Sequence, residues 1–199
     1  MNLILKQLGW NEYLEKQFIS FKQEGLSVGR ITSEQKNMYR VITESGELLA
    51  EISGKYRYNT VKLQDYPAVG DWVVLSERIN EGKATIHHLL PRFSKFLRKI
   101  AGKTTEEQIV ASNIDTVFLV QSLNDDLNLR RLERYLMMAW ESGANPVIVL
   151  TKSDLCTNIN SILRLVDSVA FGIPIHVTSV INKTGLDNLR PYFQVGKTI

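Results

Sequence analysis

Residues 151–154 read Thr-Lys-Ser-Asp and follow an apolar run at 146–150 that has the composition of a buried strand. The loop at the carboxyl end of such a strand is where α/β sheets hold ligands, and these residue types suit guanine. Guanine offers two adjacent donors, N1–H and the N2 amino group. The ionised carboxylate of Asp154 has two acceptors and can take both. Adenine presents a lone pair at N1 and would leave a partner unmatched, a mismatch that hydrogen-bonding sites reject strongly. Lys152 can lay its methylene stem along the base plane, with its ammonium near ribose or loop oxygens. Thr151 would brace the loop through its hydroxyl. Taken alone, four such residues also describe an ordinary turn that caps a helix. Their setting makes them more specific: a helical stretch follows, and Val177-Thr178-Ser179-Val180 closes the next strand one βα unit later.

Two basic stretches could meet nucleic acid. Lys55-Tyr56-Arg57-Tyr58-Asn59, with Lys62 just after, interleaves cations with rings in a long inter-strand connection. Phosphates attract the cations, and unstacked bases can lie on the tyrosines. Arg92, Lys95, Arg98, Lys99 and Lys103 form a second run with no acidic residue between them. It reads equally as an RNA contact and as a solvated linker whose Phe93 and Phe96 dock on a neighbouring domain. Other candidates read as structural. His87 and His88 are adjacent on a strand, so their side chains point to opposite faces and cannot chelate one metal together. His176 has no evident ligand partner, Cys156 is a packing thiol, and Arg130, Arg131 and Arg134 read as a solvated face paired with Glu133 and Asp126, slightly ahead of an RNA contact. One cysteine excludes an internal disulfide and a multi-cysteine zinc site, and no metal site is expected within these residues.

The elements that must position these groups come in two rhythms. Short strand-like segments at 28–31, 38–42, 48–52, 72–75 and 84–89 are parted by turn residues, among them Glu44-Ser45-Gly46, Pro67-Ala68-Val69-Gly70-Asp71 and Asn80-Glu81-Gly82. Five such strands across 26–91 predict a small closed barrel of the OB type, a fold that commonly binds oligonucleotides; an SH3-like barrel would leave a similar trace. Before it, residues 1–25 form an N-terminal helical extension in which Trp10, Tyr13, Leu14, Phe18 and Phe21 make a packing stripe. After it comes a basic linker at 92–113, where Thr104 and Glu107 have capping-box spacing and predict a helix running to Ser112. From 114 to 199 strands alternate with helices. The strands lie at 116–120, 146–150 and 175–178. Asn128 caps a helix in which Leu129, Leu132, Leu136 and Ala139 share a face before Gly143 ends it, and a second helix covers 159–171. That alternation predicts a parallel sheet with right-handed crossovers. The expected fold class is therefore α+β with two domains.

Charge and hydropathy add bounds. The net charge is +3, and all of it lies in residues 1–113, which carry 16 Lys/Arg against 13 Asp/Glu. Attraction to a polyanion should come from that half. No apolar run is long enough to span a membrane and Met1 to Trp10 lacks the pattern of a signal peptide, so a cytoplasmic monomer with no membrane partner is expected.

In this setting Thr151-Lys152-Ser153-Asp154 resembles the fourth GTPase motif, usually Asn-Lys-x-Asp, with Thr in the Asn position. Ser179-Val180 fits the fifth, whose Ser and following backbone N–H groups close over guanine O6. Nothing resembling Gly-x-x-x-x-Gly-Lys-Ser/Thr precedes Thr151; the barrel does. That order, with residues 107–136 reading EQIVASNIDTVFLVQSLNDDLNLRRLERYL, the turn at 67–73 and the linker at 92–102, looks like the circularly permuted, ribosome-small-subunit-dependent GTPases of the RsgA/YjeQ family. The resemblance covers the chain from about Leu26 onward. It implies an OB barrel, then a permuted α/β P-loop-type GTPase domain with motif order four-five-one-two-three, then a zinc domain. It further implies binding to the small ribosomal subunit and its rRNA late in maturation, with GTP hydrolysis there. The cofactors implied are GTP/GDP with Mg²⁺ and a structural Zn²⁺. Gly196-Lys197-Thr198 looks like the end of a phosphate loop, but Pro191 stands where the first Gly would be needed, so the loop is expected just beyond. The expectation is a chain holding motifs four and five only, with no catalytic residue of its own and no hydrolysis alone, as a fragment of a full-length GTPase. The alternative is a non-catalytic RNA-binding protein with a vestigial GTPase half. A small-molecule α/β enzyme finds no nucleophile–base or metal constellation to support it.

Overall fold

The computed structural model describes residues 3–36, 38–99, 107–124 and 126–199, with backbone only at 98 and 99. Contacts divide the chain into two compact units, residues 1–114 and 115–199.

The first unit is built on a closed barrel. Strands β1 (Ser27–Gln35), β2 (Met38–Thr43), β3 (Gly46–Ile52), β4 (Trp72–Arg78) and β5 (Lys83–Leu89) close in the order β1-β2-β3-β5-β4. All pairings are antiparallel except β3 with β5, so the chain must cross over between them. The period-2 pattern fills the barrel: Ile31, Tyr39, Val41, Leu48, Ala50, Val73, Leu75 and Ile86 form its interior. On β4 four successive residues, Trp72 to Leu75, are buried. Val73 and Leu75 point inward, while Trp72 and Val74 are covered from outside by the N-terminal helices α1 (Leu3–Gln7) and α2 (Glu12–Gln23). Trp10, between those helices, stacks edge-on to Trp72 with ring centroids 4.9 Å apart, a geometry aromatic pairs prefer. Asn11 starts α2 by accepting a hydrogen bond from the Leu14 N–H. The extension is thus two helices that complete the core.

The crossover from β3 to β4 holds a short helix, α3 (Gly54–Asn59), capped by the Ser53 hydroxyl, so the basic stretch at 55–59 is helical within its connection. The expected helix ending at Ser112 is absent: residues 107–112 are strand β7 (Glu107–Ser112), antiparallel to β6 (Lys95–Lys99). Ile109 is buried between exposed Gln108 and Val110, and β6 supplies a ladder for the backbone groups of this segment, which outweighs the local cap signal. Thr104, the proposed cap, and Lys103 lie outside the described residues.

A buried polar hub ties this hairpin to the barrel. Asp71 is fully buried and accepts from the Arg92 guanidinium (Nε at 2.7 Å), from the Ala68 N–H at 2.7 Å and from the Ser112 hydroxyl. Gly70, at φ +92°, lies so close to the Ser112 carbonyl that any Cβ would collide with it, which is why the 67–71 turn requires glycine there.

The second unit has a three-stranded parallel sheet in the order β10-β9-β8, formed by β8 (Thr116–Ser122), β9 (Asn145–Thr151) and β10 (Ile175–Val177). Helices α4 (Leu129–Ser142) and α5 (Ile159–Val169) connect the strands, and their apolar residues Leu132, Leu136 and Val166 pack with Leu119, Ile148 and Leu150. Asn128 and Gly143 cap α4 at its two ends as expected from sequence. No helix among the described residues is long and apolar enough to cross a membrane.

Candidate functional site

Strand β9 ends at Thr151, whose hydroxyl donates to the Gln121 carbonyl at 3.3 Å and braces the loop against β8. Lys152 then adopts the left-handed conformation (φ 57°, ψ 42°), which turns the chain off the strand into a single turn over Ser153–Leu155. Ser153 N–H donates to the Thr178 carbonyl at 3.1 Å and Thr178 N–H to the Leu150 carbonyl at 2.8 Å. These bonds lock the loop after β9 to the loop after β10.

The side chain of Asp154 is exposed, and its Oδ1 accepts a hydrogen bond from the Ser179 hydroxyl. Ser179 is itself fully buried and also accepts from the Asn182 N–H at 3.1 Å. Its proton is therefore spent on Asp154, and its part is to aim the carboxylate. That leaves Oδ2 and a second lone pair on Oδ1 without a partner among the described residues. Ser179 and Thr184 exchange both backbone hydrogen bonds at 3.0 Å, which folds 180–183 into a tight turn. Gly185 closes it at φ +73°, pressed against the Val177 carbonyl where no side chain fits. The Val180 side chain is 73% exposed, and the N–H groups of Val180 and Ile181 have no acceptor among the described residues. Thr151, Lys152, Asp154, Ser179 and Val180 are thus brought together at the carboxyl end of the sheet, offering paired acceptors beside free backbone donors.

Residue types alone did not point to Gln121, which is buried and holds Asn128, the residue that caps α4, through both of its backbone groups. Its carbonyl oxygen accepts from the Asn128 N–H at 2.9 Å and its amide donates to the Asn128 carbonyl at 3.3 Å. A polar residue inside the apolar strand run at 117–123 was the available signal.

Gly196-Lys197-Thr198 lies elsewhere. The Lys197 ammonium pairs with Asp115 at 2.7 Å, the Thr198 carbonyl accepts from the Asp115 and Thr116 N–H groups at the start of β8, and the Thr198 N–H donates to the Asp115 carboxylate at 2.9 Å. That is the amino end of the sheet, on the order of 20 Å from the carboxyl-end loops at a strand rise of about 3.3 Å per residue.

The basic residues of the first unit separate into two kinds. Lys55, Arg57, Lys62 and Lys95 are exposed, as is Tyr58 at 90%. Arg98 and Lys99 lie on β6 by backbone. Arg92 instead spends its guanidinium inside the protein, on Asp71 and on the carbonyls of Gln64 (2.6 Å) and Tyr66 (2.8 Å). Tyr56 packs against the barrel core and donates its hydroxyl to the Asp65 carbonyl at 2.7 Å; burial pushes its phenol up to about 12. Both residues spend their polar groups on partners within the barrel unit, unlike the exposed members of the two basic stretches.

The remaining candidates are structural. His87 bonds the Ser76 hydroxyl at 2.9 Å, and burial, then the neighbouring His88, holds its pKa below the usual value. His88 stacks on Phe21, and His176 bonds the Tyr192 hydroxyl at 2.8 Å. Arg130 and Arg131 pair with Glu133 and Asp126, and Cys156 packs against the sheet core. Among the described residues no three His, Cys, Asp or Glu side chains gather where a metal ion could be held.

Residues 89–199 match the family model for RsgA GTPase. The chain is 46% identical over 178 residues to small ribosomal subunit biogenesis GTPase RsgA 2 of Lactiplantibacillus plantarum, covering 89% of this chain and 50% of that protein. It is 40% identical over 191 residues to the RsgA of Methanosarcina acetivorans, with 96% and 50% covered. It spans about half the length of the curated relatives it matches. In fold it resembles the crystal structure of YjeQ from Thermotoga maritima (TM-score 0.66, 24% identity, 85% of this chain and 57% of that one). It also resembles that of YloQ, a circularly permuted GTPase (TM-score 0.64, 23% identity, again 85% and 57%).

Proposed function

This chain belongs to the RsgA GTPase family, and from that premise we propose that it forms the RNA-binding barrel and the guanine-selecting part of a GTPase that assists late maturation of the small ribosomal subunit. The observation that carries the reading is Asp154, exposed at the carboxyl end of β9 and held in place by the buried Ser179. Its open oxygens take guanine N1–H and the N2 amino group. The Val180 N–H meets O6, Lys152 covers the base plane, and Thr151 braces the loop. On the barrel unit, Lys55, Arg57, Lys62 and Lys95 meet rRNA phosphates, with Arg98 and Lys99 on the same hairpin, and Tyr58 offers a stacking face.

The base end of GTP or GDP fits these residues. The phosphates and Mg²⁺ require a Gly-rich loop with its Lys, and no such loop occurs in residues 1–199. Hydrolysis, the metal-binding and switch segments and the structural Zn²⁺ therefore belong to other parts of the family's plan, and the working protein is a cytoplasmic monomer bound to the small subunit.

Nuclear magnetic resonance titration of the isotope-labelled chain tests the site. GDP should shift signals of 150–156 and 178–184, and ADP should not; equal responses to both nucleotides sink the reading. In a longer protein carrying the phosphate loop, added small subunits should accelerate GTP hydrolysis. An unchanged rate there, together with no effect of Asp154→Ala, would favour a non-catalytic RNA-binding protein.

A further inference from the structure

The barrel unit contains a cavity of about 400 Å³ beside β1, β2, α3 and β7, within the size range of small-molecule sites. Five polar side chains line it: Glu34, Tyr39, Arg57, Tyr66 and Gln108; the rest of the lining is apolar. None of the five makes a side-chain hydrogen bond or ion pair with a described residue. Tyr39 is the telling one. Its ring belongs to the barrel core and the residue is only 1% exposed. No fully buried polar side-chain atom among the described residues lacks a partner, so the unpartnered Tyr39 hydroxyl must open onto the cavity. Folded proteins rarely leave such a group unsatisfied.

We propose that this cavity receives a single unstacked nucleobase of RNA, one that presents an amino group to Glu34 while the Tyr39 hydroxyl bonds its edge. The inference rests on reading the barrel as RNA-binding and adds to it a base-selective pocket. The chemistry matches one base: apolar walls for its faces, a carboxylate acceptor, a phenol able to donate or accept, an amide that does both, and a guanidinium for the attached phosphate. Glu34 is exposed at the rim, yet partial desolvation, with a smaller push from the Asp71 charge, holds its carboxyl above the usual range, and the Glu34 and Arg57 charges are both felt at Tyr39. The Glu34 and Arg57 charges are thus each within electrostatic reach of the Tyr39 phenol. Uracil has no amino group and is the disfavoured base.

The test uses the whole chain and fluorescently labelled short single-stranded RNA made of uridine, or of uridine with one central guanosine, adenosine or cytidine. The amino-bearing RNAs should bind about 3- to 10-fold more tightly than all-uridine RNA, the scale of one well-formed hydrogen bond. Tyr39→Phe and Glu34→Ala should each erase most of that preference. Tyr39→Phe should leave the thermal midpoint unchanged or raise it, since it removes only an unpaired hydroxyl. Lys55→Ala with Lys62→Ala should weaken all RNAs alike and keep the preference. Equal binding of every RNA, or a preference that survives both cavity variants, overturns the pocket while leaving the barrel an RNA binder. Absence of any RNA binding removes both readings together. Cavity variants that weaken association with small subunits but not with RNA would make the occupant a protein group and overturn the proposal.

Discussion

The Asp154 carboxylate proposed to read the base is already aimed, because the Ser179 hydroxyl holds one oxygen and is itself anchored by the Asn182 N–H. Less ordering is then left for binding to cost. Asp154→Asn replaces an acceptor with an amide donor, which matches the carbonyl that xanthine carries where guanine has its amino group. The variant should lose the GDP response and gain one to xanthosine diphosphate, read by the same titration. Retained preference for GDP would mean that Asp154 does not read the base. A second residue-scale prediction concerns Arg92, a guanidinium that sequence places in a basic run and the fold places on buried Asp71. Arg92→Met leaves that carboxylate with an uncompensated charge and should cost on the order of 3 kcal/mol. Adding Asp71→Asn should recover part of the loss in chemical denaturation.

At the scale of elements, the loop after β10 is the part that aligns the site. Gly185 sits at φ +73° against the Val177 carbonyl, so Gly185→Ala is strained by both conformation and contact. A destabilisation of about 1–3 kcal/mol should appear in thermal unfolding, with faster hydrogen exchange at the Thr184 N–H as the Ser179–Thr184 bridge opens. Unchanged protection at Thr184 would show that the turn does not depend on glycine. The hairpin β6–β7 carries a different lesson. A capping-box spacing predicts a helix ending at Ser112, yet residues 107–112 are a strand because β6 pairs with them and Ser112 bonds the buried Asp71. Local propensity lost to a partner more distant in the chain.

At the scale of the barrel unit, burial keeps the phenols of Tyr39 and Tyr56 neutral well above their ordinary value of 10.0. Below pH about 10 folded and unfolded chains both keep these protons, so the stabilisation is fully present. Above it the unfolded chain ionises first, so stability falls as pH rises through the native pKa, about 12 for Tyr56. Tyr39 and Tyr56 should ionise only with cooperative loss of the barrel. Tyrosinate absorbance followed beside circular dichroism checks this; all seven tyrosines ionising before any unfolding would contradict it.

The sequence by itself determined the five barrel strands, the strand–helix alternation of the second unit, the Asn128 and Gly143 caps and the position of Thr151-Lys152-Ser153-Asp154 at a strand end. Each of these is written in neighbours within a few residues, through side-chain period, cap chemistry and turn residues. Only the tertiary structure decided which polar side chains are already spent. Ser179 serves Asp154 from 25 residues away, Arg92 serves Asp71 from 21, and Ser112 reaches Asp71 across 41. The Tyr39 hydroxyl is left open onto a cavity. Hydrogen bonds and ion pairs depend on distances of a few ångströms between atoms far apart in the chain, and no local pattern of residue types encodes those distances.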